Sequence, residues 1–255
     1  MPNATGCREM SAPMTEGRYL PTYEPLERLP VSKPVHRIDF IRKQCSGKKV
    51  LDLGAMDETA YQAKQGRGTW VHEEIAKDAA EVVGLDSSAL VPDEGLRIAA
   101  NAVIYRADIS RLNSWLESQN FMPDVIVAGE LIEHLDNPLS FLRSISLIQT
   151  LKGKVLILTT PNATAVHNCV ISLLSRESTH HDHLAIFSFK TLSTLCARAG
   201  FQDWNIIPYY SRFIEMKNRA RGLKRGVIEG GELAVNGFEW LFPMTSFGYV
   251  VTVKI

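Results

Sequence analysis

Apolar positions along this chain follow two periods. Continuous apolar runs at Lys49–Leu53, Glu81–Leu85, Asp124–Ala128 and Lys154–Leu158 have the density of strands buried on both faces. Shorter runs at Val103–Tyr105, Asn205–Pro208 and Phe247–Val253 complete a set of seven. Between them, helical spacing predicts elements over Val35–Gln44, Glu73–Ala80, from Pro138 to near Lys152-Gly153, and Phe189–Ala199, with a short helix at Leu96–Asn101. The boundaries carry chemistry: Asn137 caps ahead of Pro138 at the first helical position, Ser188 caps ahead of Phe189, and Gly200 follows the last turn. Strand alternating with helix implies an α/β fold: a Rossmann-like, seven-stranded, mostly parallel sheet with helices on both faces and a final antiparallel strand.

Two segments are too long to be plain connections. Residues 163–183 carry His180, His181 and His183. Residues 211–246 begin basic (Lys217, Arg219, Arg221, Lys224, Arg225) and end aromatic (Phe238, Trp240, Phe242). Both read as lid insertions of a domain spanning 35–255. Residues 1–34 lack periodicity and read as an N-terminal arm.

Composition narrows the classes. The 255 residues hold 28 basic and 28 acidic side chains, so net charge is zero, which argues against a nucleic-acid partner. No apolar run is long enough for a membrane span, and no secretory leader is visible. The four cysteines, Cys7, Cys45, Cys169 and Cys196, have no metal-like spacing and read as reduced thiols in a cytoplasmic protein.

The strand ends are polar. Asp52 and Gly54 follow the first strand, Asp86 the second, Asp108-Ile109 the third and Gly129-Glu130 the fourth. In open α/β sheets, ligands bind beyond such ends. With Leu158–Asn162 and His183–Phe201, these motifs resemble class I S-adenosylmethionine-dependent methyltransferases over about residues 45–205. The branch they look most like holds ubiquinone-biosynthesis and sugar O-methyltransferases.

The resemblance implies S-adenosylmethionine as cofactor. Asp52 would lie near its ammonium end and Gly54 would let the backbone approach. Asp86 would accept from the ribose hydroxyls and Asp108 from the adenine amine, with Ile109 beside the ring. Gly129 and Glu130 would line the methionine side. Met56 and Glu58 stand where the family usually has further loop glycines.

Glu130, Glu133 and His134 fall at i, i+3 and i+4 and would share one side of a helical turn. Two carboxylates and an imidazole suit Mg²⁺ or Mn²⁺, with Zn²⁺ as another choice. The same Glu-x-x-Glu-His pattern in ubiquinone-biosynthesis and small-RNA 2′-O-methyltransferases is associated with a metal. In the latter a later histidine joins it, and His183 matches that place here. Without a metal, His134 or His183 becomes the base.

The first expectation is thus an O-methyltransferase acting on a small-molecule hydroxyl, of a sugar or a phenol, with divalent metal assistance. The alternatives are an RNA 2′-O-methyltransferase and a cofactor-binding, non-catalytic partner. A homodimer is the default for a soluble enzyme.

Overall fold

The computed structural model describes residues 20, 22, 24, 26–57 and 61–255. Most of the expected N-terminal arm, Cys7 and Glu58 lie outside these. Among the described residues, eight strands form one sheet in the order β3-β4-β2-β1-β5-β6-β8-β7. They are β1 (Lys49–Leu53), β2 (Glu81–Asp86), β3 (Leu96–Ala99), β4 (Ala102–Arg106), β5 (Val125–Gly129), β6 (Val155–Pro161), β7 (Asp203–Tyr209) and β8 (Gly248–Lys254). The pairs β4/β2, β2/β1, β1/β5 and β5/β6 are parallel, whereas β8 runs antiparallel to both β6 and β7.

The helices are α1 (Arg37–Cys45), α2 (Tyr61–Lys64), α3 (Val71–Ala76), α4 (Leu112–Gln119), α5 (Pro138–Leu147), α6 (Val166–Ser172), α7 (Phe189–Ala199), α8 (Ile214–Arg219) and α9 (Leu223–Leu241). None of them is long and apolar enough to cross a membrane.

Strand residues alternate between two cores. Leu51, Leu53, Ile126, Leu156 and Val251 pack with Leu116, Leu142, Ile145, Leu192 and Cys196. Val50, Val125, Val127, Ile157 and Val250 pack on the other face with Ile41, Ile75 and Ala76. The expected caps are present. The Asn137 side chain accepts from Ser140 N–H, Ser188 and Thr191 form a capping box, and Gly200 is left-handed with φ of 96°.

One expectation is corrected. Leu96–Ala99 is not a helix but an eighth strand, paired antiparallel with β4. The reversal is fixed by Asn101, whose side-chain amide donates to the carbonyls of Ala76 and Ala79 at 2.9 Å each. Within the segment 211–246 the chain folds into α8 and the 19-residue α9. Four glycines at 226, 230, 231 and 237 hide that helix from the sequence, since each lowers helix propensity by about 1 kcal/mol. Tertiary contacts override the propensity. Glu239 is fully buried and accepts from Ser211 N–H at 3.0 Å and Ser211 O–H at 2.6 Å, tying α9 to the end of β7.

Candidate active site

The polar strand ends meet along one edge of the sheet. Gly54 turns with φ of +70°, and a Cβ there would come within 2.9 Å of Leu131 Cδ1. The left-handed backbone selects glycine. Asp86 closes the loop, with one carboxylate oxygen accepting from Met56 N–H at 2.8 Å and the other from Ser88 N–H at 2.9 Å. Met56, at an expected glycine position, is buried with Ala55, Trp70, Val91 and Ile104. The Trp70 indole donates to Ala55 O at 2.9 Å. The loop is therefore held by side-chain packing on its inner side.

Asp52 lies on the α1/α3 face, because strand alternation puts it with Val50. There its carboxylate meets His72 Nδ1 at 3.0 Å, and both residues are buried. Gly84, across the strand pair from Asp52, leaves room for that imidazole; a Cβ there would come within 2.9 Å of His72 Cε1. Asp108 is exposed and caps the short turn Ile109–Arg111. The Ser110 hydroxyl and N–H donate to it at 2.7 and 2.8 Å and hold its pKa below the usual carboxylate value. Ile109 is half-buried beside it. Gly129 ends β5, and the Glu130 N–H donates to Thr159 O at 2.9 Å.

Glu130 is left-handed, with φ of 52°, an uncommon backbone for a residue with a side chain. Its carboxylate accepts from Tyr209 O–H at 3.0 Å and pairs with Arg37 at 2.9 Å. Burial pulls the Arg37 pKa down, but the charge of Glu130 and its hydrogen bond outweigh it and the net shift is upward. Burial, then Glu130, pushes the Tyr209 phenol well above its ordinary value. Gly248 makes this arrangement possible, since a Cβ there would overlap the Tyr209 ring.

Glu133 is the unusual group. It is 0% exposed, and neither carboxylate oxygen makes a hydrogen bond. The Thr160 hydroxyl lowers the Glu133 pKa slightly without forming a well-made hydrogen bond. Burial, reinforced by the Glu130 charge, raises the carboxyl to about 8. His134 sits edge-on to His183, with ring centroids 4.6 Å apart, and His180 lies 6.2 Å from His134. Burial, then the neighbouring His134, lowers the His183 pKa, and its Nδ1 is buried without a partner.

One ligand atom each from Glu133, His134 and His183 falls within 4.8 Å of the others. The segment carrying His183 is pinned by Leu184 N–H, which donates to Glu133 O at 2.8 Å. A buried carboxylate with both oxygens orphaned, facing two imidazoles, is a donor set that fits a divalent cation. Of the four residues expected at a metal, the structure brings three together and turns Glu130 toward Arg37 and Tyr209. A second group, His180, His181 and Asp182, lies at the surface.

The sequence singled out neither Arg37 nor Thr160 as a site residue. Arg37 reaches Glu130 from a separate helix, and no local spacing announces such a contact.

A family described as a methyltransferase domain matches residues 27–206. No curated relative matches by sequence. Among solved structures, the chain is similar to a possible histamine N-methyltransferase from Thermotoga maritima, with 13% identity and a TM-score of 0.50, covering 86% of this chain and 87% of that one. A small RNA methyltransferase gives 16% identity and a TM-score of 0.51, covering 92% of this chain but 27% of that one. A methyltransferase from Archaeoglobus fulgidus gives 14% identity and a TM-score of 0.47, covering 86% and 94%.

Proposed function

Because the chain belongs to the methyltransferase-domain family, we propose that it moves a methyl group from S-adenosylmethionine to a hydroxyl oxygen of a small molecule, with a divalent cation held by Glu133, His134 and His183. The observation that carries the cation is the buried Glu133 carboxylate, unpaired and facing two imidazoles. With two nitrogen donors and one carboxylate, Mn²⁺ or Zn²⁺ fits better than Mg²⁺, which prefers oxygen ligands. Bound there, the ion would orient the acceptor hydroxyl and lower its pKa.

The chain's own residues supply the rest. Asp86 and Asp108 stand where ribose and adenine would lie, at the ends of β2 and β4. Gly54 and Gly129 admit the donor close to the backbone. In the transfer, the acceptor oxygen bonds to the methyl carbon. The methyl–sulfur bond breaks, and its electron pair remains on sulfur. The hydroxyl proton departs, and His180, beside His134 and His183 and partly open to solvent, is placed to carry it outward. Arg37 and Tyr209 fix Glu130 between the two halves of the site.

The expected test result is transfer of labelled methyl from S-adenosylmethionine to members of a panel of phenols and saccharides, lost on chelation and restored by Mn²⁺ or Zn²⁺. Turnover indifferent to chelation would remove the ion from this reading. An RNA acceptor is the second reading, favoured by the Glu-x-x-Glu-His pattern and by the likeness in fold to the small RNA methyltransferase. It requires binding that weakens steeply with salt, and zero net charge speaks against it.

A further inference from the structure

A cavity of about 490 Å³ lies between α6 and α9. Val166, His167 and Val170 line one side, Val235 and Phe238 the other, and Phe247 the floor. Aromatic contacts link the floor to the site described above. Phe247 stacks on His167, with centroids 4.9 Å apart and planes at 17°, and lies 5.9 Å from the Tyr209 ring. The hydroxyl of Tyr209 in turn holds Glu130.

The walls are also fixed from outside. Asn162 donates to Met244 O at 2.9 Å and to Ser246 O at 2.8 Å, so the return from α9 is tied to the end of β6 just before α6. The volume is that of a small-molecule pocket.

The lining selects the ligand. Ser211, one of its few polar residues, is already committed through both its hydroxyl and its N–H to Glu239. His167 also lines the cavity, but its Nδ1 is buried away from the open space. A saccharide would bring several hydroxyls against an almost wholly apolar lining, and unpaired buried hydroxyls are costly. A hydrocarbon body would meet valines and phenylalanines throughout.

We infer that this cavity holds the body of the acceptor, and that the acceptor is a hydroxylated molecule built on an uncharged aromatic ring with an alkyl substituent. This rests on the reading of the chain as a methyltransferase acting on a hydroxyl, and it selects the phenol over the sugar.

The test is calorimetric titration of para-ethyl, para-butyl and para-hexyl phenol into the full chain, with chelator and without methyl donor. Affinity should rise about threefold to fourfold per added methylene until the cavity is full. Methyl glucoside should not bind. Val235→Trp and Val170→Trp, each filling the cavity from a different helix, should flatten the series at unchanged melting temperature. Val170 is 55% exposed, so its larger replacement has room to fold. A flat series in the wild type would overturn the inference, as would a slope untouched by both substitutions. Sedimentation showing that the substitutions instead dissociate paired chains would also overturn it, by making the cavity a contact between copies. No donor or metal is present, so a flat series leaves the methyl-transfer reading standing. An intact slope in a protein that transfers no methyl would separate the two in the other direction.

Discussion

Glu133→Gln is expected to abolish tight divalent-cation binding and to lower turnover by at least about a hundredfold. Glutamine keeps the shape but offers a neutral oxygen and an unwanted N–H to the cation. The same substitution should change stability in the opposite sense when chelator is present. The Glu133 carboxyl titrates near 8 in the folded protein, above the ordinary carboxylate value that an unfolded chain shows. Between those values the folded state holds a proton the unfolded state has lost, so folding stability falls as pH rises through that window. Below the unfolded value the penalty is absent. The glutamine variant lacks this slope, so in chelator it should match the wild type near pH 4 and melt higher near pH 8. Mn²⁺ titration and paired melting curves check both halves. A variant with wild-type Mn²⁺ affinity and turnover would remove Glu133 from the site.

Asp86→Ala should weaken S-adenosylhomocysteine binding about tenfold to a hundredfold, through loss of charge-assisted hydrogen bonds of about 1.5–3 kcal/mol. Part of that loss is indirect. The Asp86 carboxylate also receives Met56 N–H and Ser88 N–H, so its removal leaves two loop donors without acceptors. Asp86→Asn, which keeps one oxygen, should fall between. Turnover at saturating donor should change much less than KM, because the groups near the acceptor oxygen are untouched. Unaltered affinity in the alanine variant would place the nucleoside elsewhere.

The strand-end pattern was legible because a parallel sheet buried on both faces writes itself as continuous apolar runs with polar residues at their ends. Caps at Asn137, Ser188 and Gly200 were legible because each satisfies backbone groups within a few residues of itself. β3 was not, since four residues such as Leu96–Ala99 carry too little periodicity to separate a strand from a helical turn. α9 was hidden by its glycines and is held by Glu239 and Ser211, a contact between separate elements.

The site divided in the same way. Glu133, His134 and His183 were legible as donors, but burial, which makes the Glu133 carboxyl unusual, is a property of the folded chain. Glu130 looked equivalent to Glu133 from spacing alone. Its left-handed backbone and its contacts with Arg37 and Tyr209 send it elsewhere. Asp52 was read toward the cofactor. Alternation along β1 places it on the α3 face against His72.

The most direct measurement is calorimetric titration of S-adenosylhomocysteine into the chelated protein, followed by Mn²⁺. The account predicts stoichiometric binding of the nucleoside without metal, then a separate stoichiometric heat for Mn²⁺ that Glu133→Gln lacks. Absence of any nucleoside binding, with or without Mn²⁺, would contradict it, because the loop closed by Met56 and Asp86 would then hold no donor.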